Sequence, residues 1–438
     1  MNGLISIIET NIVPLAAKIG NQKHLVAIRD GFAATMPLIM AGAIAVLLNN
    51  VFFVPWGLLA GFIGAENSFI IWANTYVAPL FSAIEGGSLS ILALVLCFSL
   101  GYRRAEYEKK DSLSTGLVTV GAYFVCGALS RNNPLVASHV THYLGAQGVF
   151  LALVIGLIAP EIYFMVVNKG WTIKMPEQVP PAVGKAFAAI IPGFITIFSW
   201  AVVYYAIYML TGSNVFQWFE DNISGLLLNL GDNIITVGLV SFLIPLFWFF
   251  GLHGANIMEA FMSPVYGTMG TLNLQSFASG ITDPEMLFPW VRASWDIYVF
   301  LGGSGATLAL VLAIMATSKV KQDREIAKMG LPCGVFMINE PVIFGLPIVL
   351  NPIYLIPFCL TQPIMAVIGY IATTSGFAYP VVNSIPWTTP PILGAYLATN
   401  GSIGAVITSI VCLGVAFVTY LPFAIAASRA GEKKIIHG

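Results

Sequence analysis

The sequence predicts an all-α, polytopic membrane protein with about ten transmembrane helices and both termini cytoplasmic. Three observations lead there. The 438-residue chain is 58% hydrophobic and 9% charged, with a mean hydropathy of +0.85, whereas soluble domains carry roughly 25% charged residues. Its 42 glycines and 25 prolines suit membrane helices, which hold more of both than soluble helices do. Its Lys and Arg fall into five clusters separated by apolar stretches, the asymmetry that orients membrane proteins.

Residues 1–20 alternate apolar and polar side chains and carry Glu9 and Lys18. They lack the basic start, apolar core and small-residue cleavage site of a signal peptide. An amphipathic helix on the cytoplasmic surface is expected, within a cytoplasmic N-terminus of residues 1–30. The basic clusters are Lys18/Lys23/Arg29, Arg103/Arg104/Lys109/Lys110, Lys169/Lys174/Lys185, Lys319/Lys321/Arg324/Lys328 and Arg429/Lys433/Lys434. If each is cytoplasmic, an even number of crossings separates neighbouring clusters. Residues 31–54 then run outward and 88–102 return, with 69–84 an outer segment. Residues 113–129 and 147–167 form the next pair, and 186–211 and 234–250 the third. Residues 297–318 must run inward, so a further crossing is expected between His253 and Trp295, as a re-entrant piece combined with an amphipathic crossing shielded by neighbours. Residues 331–350 dip in and turn back, 353–374 cross outward, 380–399 form an irregular polar piece, and 402–427 return. Arg131 and Arg292 stand apart from the clusters and carry little topological weight.

The two halves differ in character. Residues 31–211 read as plain spans and are expected to form a scaffold and dimerisation half. Residues 212–428 hold nearly all the interrupted apolar segments, which point to a transporter binding site, so substrate binding is expected there. Residues 429–438 are a cytoplasmic tail. The five cysteines, Cys97, Cys126, Cys333, Cys359 and Cys412, each lie in an apolar run without C-x-x-C or Cys/His spacing, so neither disulfides nor a metal site is expected. A formal net charge of -1 gives no hint of a nucleic-acid partner. No Walker A, G-x-S-x-G or metalloprotease pattern occurs, and no cofactor is expected.

Three groups can carry chemistry. Glu340 sits in an apolar run broken by Pro341, Gly345 and Pro347. A carboxylate at such a depth costs roughly 2.5 to 3.5 kcal/mol on insertion scales, and broken backbone at membrane depth is tolerated where it lines a cavity. Glu340 can accept a hydrogen bond or a proton from a hydroxyl, and Asn339 beside it adds donors and an acceptor. The second group is His253, flanked by Gly251 and Gly254 after an apolar span that ends in Trp248, with Asn256 just beyond. The third is Asn383 to Pro391, containing Trp387. Sugar rings present apolar C–H faces to tryptophan while amides and carboxylates hold their hydroxyls, so Trp387 and Trp248 are candidate stacking platforms. Interfacial anchoring is the alternative for both.

At these residues the chain resembles a known family. The segment Ile338-Asn339-Glu340-Pro341-Val342-Ile343-Phe344-Gly345-Leu346-Pro347, with Gly251-Leu252-His253-Gly254 and Leu301-Gly302-Gly303-Ser304-Gly305-Ala306-Thr307, is similar to the IIC component of the bacterial sugar phosphotransferase system, lactose/cellobiose/diacetylchitobiose branch. Lys18-Ile19-Gly20, Pro37 to Gly42 and Ile190 to Phe194 also resemble it. The resemblance implies a homodimer in the bacterial cytoplasmic membrane, each protomer carrying two re-entrant hairpins, one around Glu340 and one at or near His253. It further implies that a sugar crosses and is phosphorylated on its C6 hydroxyl by a phosphocysteine of a separate IIB protein. With no IIA or IIB domain attached, a disaccharide of the cellobiose or diacetylchitobiose type is expected. The sequence leaves two alternatives: a proton-coupled sugar symporter with Glu340 as proton carrier, and an integral membrane enzyme acting on lipid-linked sugar.

Overall fold

The computed structural model describes residues 22–127, 143–176, 178–346 and 348–437, with the backbone alone for Glu340 and residues 430–437. The expectation for residues 1–20 lies outside the described residues, as does Arg131. All regular structure among the described residues is helical, the form that satisfies backbone groups within one segment when water is absent. Six stretches are long and apolar enough to cross a membrane: Lys23–Phe52, Ser68–Tyr107, Ala146–Asn168, Pro181–Thr211, Pro352–Thr374 and Ile403–Arg429. The pair Val215–Gly231 and Ile234–Phe249, bent by 66°, makes a seventh if it is one span.

The chain forms two compact units. One comprises Asn21–Gly42 and Ala83–Leu228, the other Ala43–Ser82 and Asn229–Gly438. The second unit thus takes in residues 43–82 together with everything from Asn229 onward. Residues 23–30, expected in the surface N-terminus, already belong to the first long helix, α1 (Lys23–Phe52).

In the first unit the opening half of α1 is joined by α2 (Leu92–Tyr107), α3 (Ser112–Gly127), α4 (Val149–Asn168) and α5 (Ile190–Thr211). Glycines bring these backbones together, as is general where lipid supplies no hydrophobic drive between helices. A Cβ on Gly101 of α2 would lie 3.2 Å from the Cα of Gly116 on α3. Arg104, read from sequence as a topology marker, is fully buried. It pairs with Glu161 of α4 and, at 3.2 Å, with Glu108, which Lys23 also approaches at 3.5 Å. Three helices are therefore tied together at one end, with Arg104 of α2 and Lys23 of α1 sharing Glu161 of α4 and Glu108.

In the second unit α6 (Ile234–Phe249) leads into α7 (Gly254–Met262) and α8 (Thr268–Ala278), which a π-turn at Ser263–Gly267 joins into one unbroken run. At 1.5 Å per residue that run is about 37 Å long, and it occupies the interval in which a shielded amphipathic crossing is expected. Residues 297–318, expected to run inward, are not one continuous helix. Helix α9 (Arg292–Tyr298) stops, a loop follows, and α10 (Thr307–Thr317) is only 11 residues long. The reason is local: Gly302, Gly303 and Gly305 take φ of 93°, 96° and 87°, and Ala306 caps α10 at φ 52°. Thr307 Oγ1 donates to the Gly302 carbonyl at 2.5 Å, and the Tyr420 hydroxyl donates to that of Gly305. Helices α11 (Lys321–Val335) and α12 (Glu340–Gly345) then form a hairpin, followed by α13 (Pro352–Thr374), the short helix Pro391–Ala398, and α14 (Ile403–His437). The buried centre is aromatic. Trp295 donates from Nε1 to Ser241 Oγ at 2.8 Å and packs edge-on against Tyr266 and Trp290.

Candidate functional site

The first part of the site is the turn between α6 and α7. Gly251 takes φ 76°, and a Cβ on Gly254 would collide with the Ile244 carbonyl, so the turn needs both glycines. His253 follows as the N-cap of α7: its Nδ1 accepts from the Asn256 backbone N–H at 3.2 Å. Accepting at Nδ1 assigns the proton of the neutral ring to Nε2, which makes that nitrogen the donor. The rings of Trp248 and His253 lie 4.4 Å apart. Trp248 is buried, whereas the His253 and Asn256 side chains are exposed. The buried Trp248 Nε1 has no hydrogen-bond partner among the described residues.

The second part is the α11/α12 hairpin. Its arms approach closely through Gly330, against Val342, and Gly345, against Ile326. At its tip Met337 takes φ 64°, and Asn339 turns inward. Asn339 Nδ2 donates to the Ser304 carbonyl at 2.9 Å, while the Gly302 N–H donates to the Met337 sulfur at 3.3 Å. A Cβ on Gly303 would lie 2.7 Å from Asn339. The glycine loop is thus the seat on which the hairpin tip rests, and it fixes where the backbone of Glu340, the first residue of α12, stands. The Glu340 side chain lies outside the described atoms.

The two parts meet. Beyond α12 the Leu350 N–H donates to the Phe249 carbonyl at 2.9 Å, and Val349 packs 3.5 Å from the Cβ position of Gly251. The end of the Glu340 hairpin is therefore bonded to the last turn of α6, beside Trp248 and His253. The third segment is built differently. Asn383 is buried, with its Oδ1 accepting from Asn50 Nδ2 at 2.9 Å and its Nδ2 donating to the Leu397 carbonyl at 3.0 Å. Those bonds give Asn383 the job of holding its segment to α1 and to the helix after it. Trp387 is 50% exposed and stacks on no other ring among the described residues.

Sequence reasoning passed over a charged cluster in this unit. Arg292 Nε lies 3.3 Å from Glu259 Oε2 and its Nη1 lies 3.1 Å from Asp296 Oδ1. Ser263 Oγ donates to Glu259 at 2.5 Å, and the guanidinium sits 5.6 Å from the Phe300 ring centroid. The i, i+4 spacing of Arg292 and Asp296 was a readable signal; Glu259, which closes the cluster from α7, was not readable as its partner.

A glycine-seated hairpin, a histidine-capped helix start and polar groups inside an all-helical apolar fold define a membrane permease architecture. The phosphotransferase system EIIC family matches residues 29–361. The cellobiose-specific EIIC component of Lactococcus lactis is 35% identical, over 99% of this chain and 100% of its own length. The lichenan permease IIC component of Bacillus subtilis is 34% identical, over 97% of this chain and 93% of its own. The crystal structure of the transporter ChbC, the IIC component from the N,N'-diacetylchitobiose-specific phosphotransferase system, superposes with a TM-score of 0.86 at 30% identity, covering 98% of this chain and 99% of that one. The chain belongs to the phosphotransferase system EIIC family. It is a multi-pass protein of the bacterial cytoplasmic membrane and a sugar permease of the cellobiose/lactose type.

Proposed function

We propose that this permease binds a β-linked disaccharide of the cellobiose or diacetylchitobiose type, carries it inward, and presents its C6 hydroxyl to a phosphorylated IIB protein. The observation that carries the reading is the Leu350–Phe249 backbone bond, which joins the hairpin of Glu340 to the turn of His253. The names of the relatives and of the solved neighbour support the substrate class. Glu340 accepts the proton or hydrogen bond of the reacting hydroxyl, and His253 orients the same end of the sugar through Nε2. Trp387 offers an apolar face to a sugar ring, the buried Trp248 backs the His253 ring instead of stacking on sugar, Asn256 supplies an amide, and Asn339 and Asn383 hold the segments that carry the site. The working unit is a homodimer in lipid, with both termini cytoplasmic and about ten crossings per protomer, residues 254–278 supplying the shielded one.

Vesicles carrying the protein with its soluble partner proteins test the reading. Uptake that requires phosphoenolpyruvate and yields disaccharide phosphate is expected. Accumulation of unmodified sugar driven by a pH gradient would overturn it in favour of a proton symporter. A binding screen against cellobiose, diacetylchitobiose and lactose then ranks the sugars, and preferential binding of glucose would defeat the disaccharide assignment.

A further inference from the structure

At the other end of α13 the second unit forms an open cavity of about 540 Å³, within the range of small-molecule sites. Helix α13 starts just after the Leu350–Phe249 junction and ends at Thr374, two residues before Gly376 in the cavity wall. That separates the cavity from the Glu340 hairpin by the length of α13, about 34 Å. The same holds along α14. Its first residues adjoin Ser402 in the cavity wall, while Ser428, far along the helix, accepts from the Lys319 N–H at 3.0 Å within a basic cluster. The topology proposed above puts that basic end inside the cell and the cavity on the outer face.

The wall is firmly built. The Tyr379 hydroxyl donates to the Thr282 carbonyl at 2.6 Å, and the Tyr379 N–H donates to Ser402 Oγ at 3.1 Å. Asn400, at φ 51°, and Gly401, at φ 88°, shape the rim; asparagine is among the few residues that take this conformation readily. Trp56 and Tyr379 pack around the buried Phe277. None of the described lining residues is charged, and neighbouring Asp283 accepts from the Glu285 N–H at 3.1 Å. Trp56 and Asn400 line the cavity, while their Nε1 and Oδ1 atoms are themselves closed off from solvent and have no partner among the described residues.

Aromatic faces, an amide, hydroxyls and no charge together suit a neutral polyol, whose C–H faces stack and whose hydroxyls both donate and accept. A phosphorylated sugar needs a cation or an array of donors that this wall does not provide. We infer that this cavity is an entry subsite for the unphosphorylated sugar, lined by the Trp56 ring and the Asn400 side chain. The inference rests on the sugar-permease reading above and adds a second place where the substrate is held before it reaches the Glu340 hairpin.

Fluorine NMR of the full-length protein, labelled with fluorotryptophan and held in lipid nanodiscs, tests it. The resonance lost in Trp56→Phe, or in Trp56→Tyr should the first variant not fold, reports the site. It should move on titration with cellobiose or diacetylchitobiose, stay still with the corresponding sugar phosphate, and still move in His253→Asn. Asn400→Gly preserves the left-handed backbone and should raise the titration midpoint about 2- to 10-fold, the value of one neutral hydrogen bond. No movement with neutral sugar, equal movement with the phosphate, or movement abolished by His253→Asn would each overturn the inference. Phosphoenolpyruvate-dependent phosphorylation by the unaltered protein is measured alongside. A silent Trp56 with phosphorylation intact sinks the subsite alone, and a responsive Trp56 without phosphorylation sinks the group-transfer reading alone.

Discussion

The backbone N–H of Leu350 donates to the carbonyl of Phe249 across 2.9 Å, and through that bond two segments far apart in sequence become neighbours. Phe249 closes the helix before the His253 turn, and Leu350 closes the segment that opens with Glu340. Each flanking piece is strained or glycine-dependent: Gly251 and Leu350 have positive φ, and so do Met337, Gly302, Gly303 and Gly305. Non-glycine residues held in this region cost of order 1 to 3 kcal/mol and persist where surrounding structure over-determines them.

Glu340→Gln keeps the shape of the side chain and removes its basicity. Phosphorylation should fall by about 10²- to 10⁴-fold, the usual value of a positioned acid–base group, with a smaller loss of sugar affinity. Equal loss of both, measured by calorimetry and by sugar phosphate formation, would remove Glu340 from the role of base.

His253 has two roles that two substitutions separate. His253→Ala deletes the cap of α7 and should cost about 0.5 to 2 kcal/mol of stability, together with sugar phosphorylation. His253→Asn retains a capping acceptor, so its melting temperature should stay near the parent value while phosphorylation is still lost. Full activity in His253→Asn would make the histidine a cap and nothing more.

The two tryptophans should respond differently. Trp387 is half-exposed, so Trp387→Ala should weaken sugar affinity by about 1 to 3 kcal/mol, by analogy with base–aromatic stacking, with little effect on folding. Trp248 is buried against His253, and Trp248→Ala should cost about 3 to 5 kcal/mol of stability through the cavity it leaves. Unchanged affinity in Trp387→Ala would identify that ring as an interfacial anchor.

Acid should loosen the first unit at Glu108. The hydrogen bond from the Arg104 guanidinium holds this carboxyl below its ordinary value of 4.5, with Lys23 adding to the effect. A carboxylate depressed in the folded state contributes stability above its unfolded value, and that contribution is lost as pH falls through the folded one. The melting temperature should therefore drop more steeply below pH 4.5 in the parent protein than in Glu108→Gln. The exposure of Glu108 and screening by solvent keep the difference small. Identical profiles would show that the Arg104–Glu161 pair alone carries the junction.

Composition and the period of charge clusters were enough to read a helical membrane protein, because apolar solvent leaves the backbone few alternatives and basic loops stay inside. The helices within 113–127, 147–167, 234–250 and 353–374 were legible to within a few residues, since each is a continuous apolar run. The break at 299–306 was not. There the glycines look like small residues in a span, and only the hairpin seated on them shows why they turn. Glu340 and His253 could be singled out as expensive polar groups in apolar surroundings. Their hairpin and turn could not be placed together, because register between distant segments is set by side-chain packing and by bonds such as Leu350 to Phe249. The Glu259–Arg292–Asp296 cluster and the burial of Arg104 belong to the same category. A charge in a sequence reports its cost, and its partner is chosen only when the chain has folded.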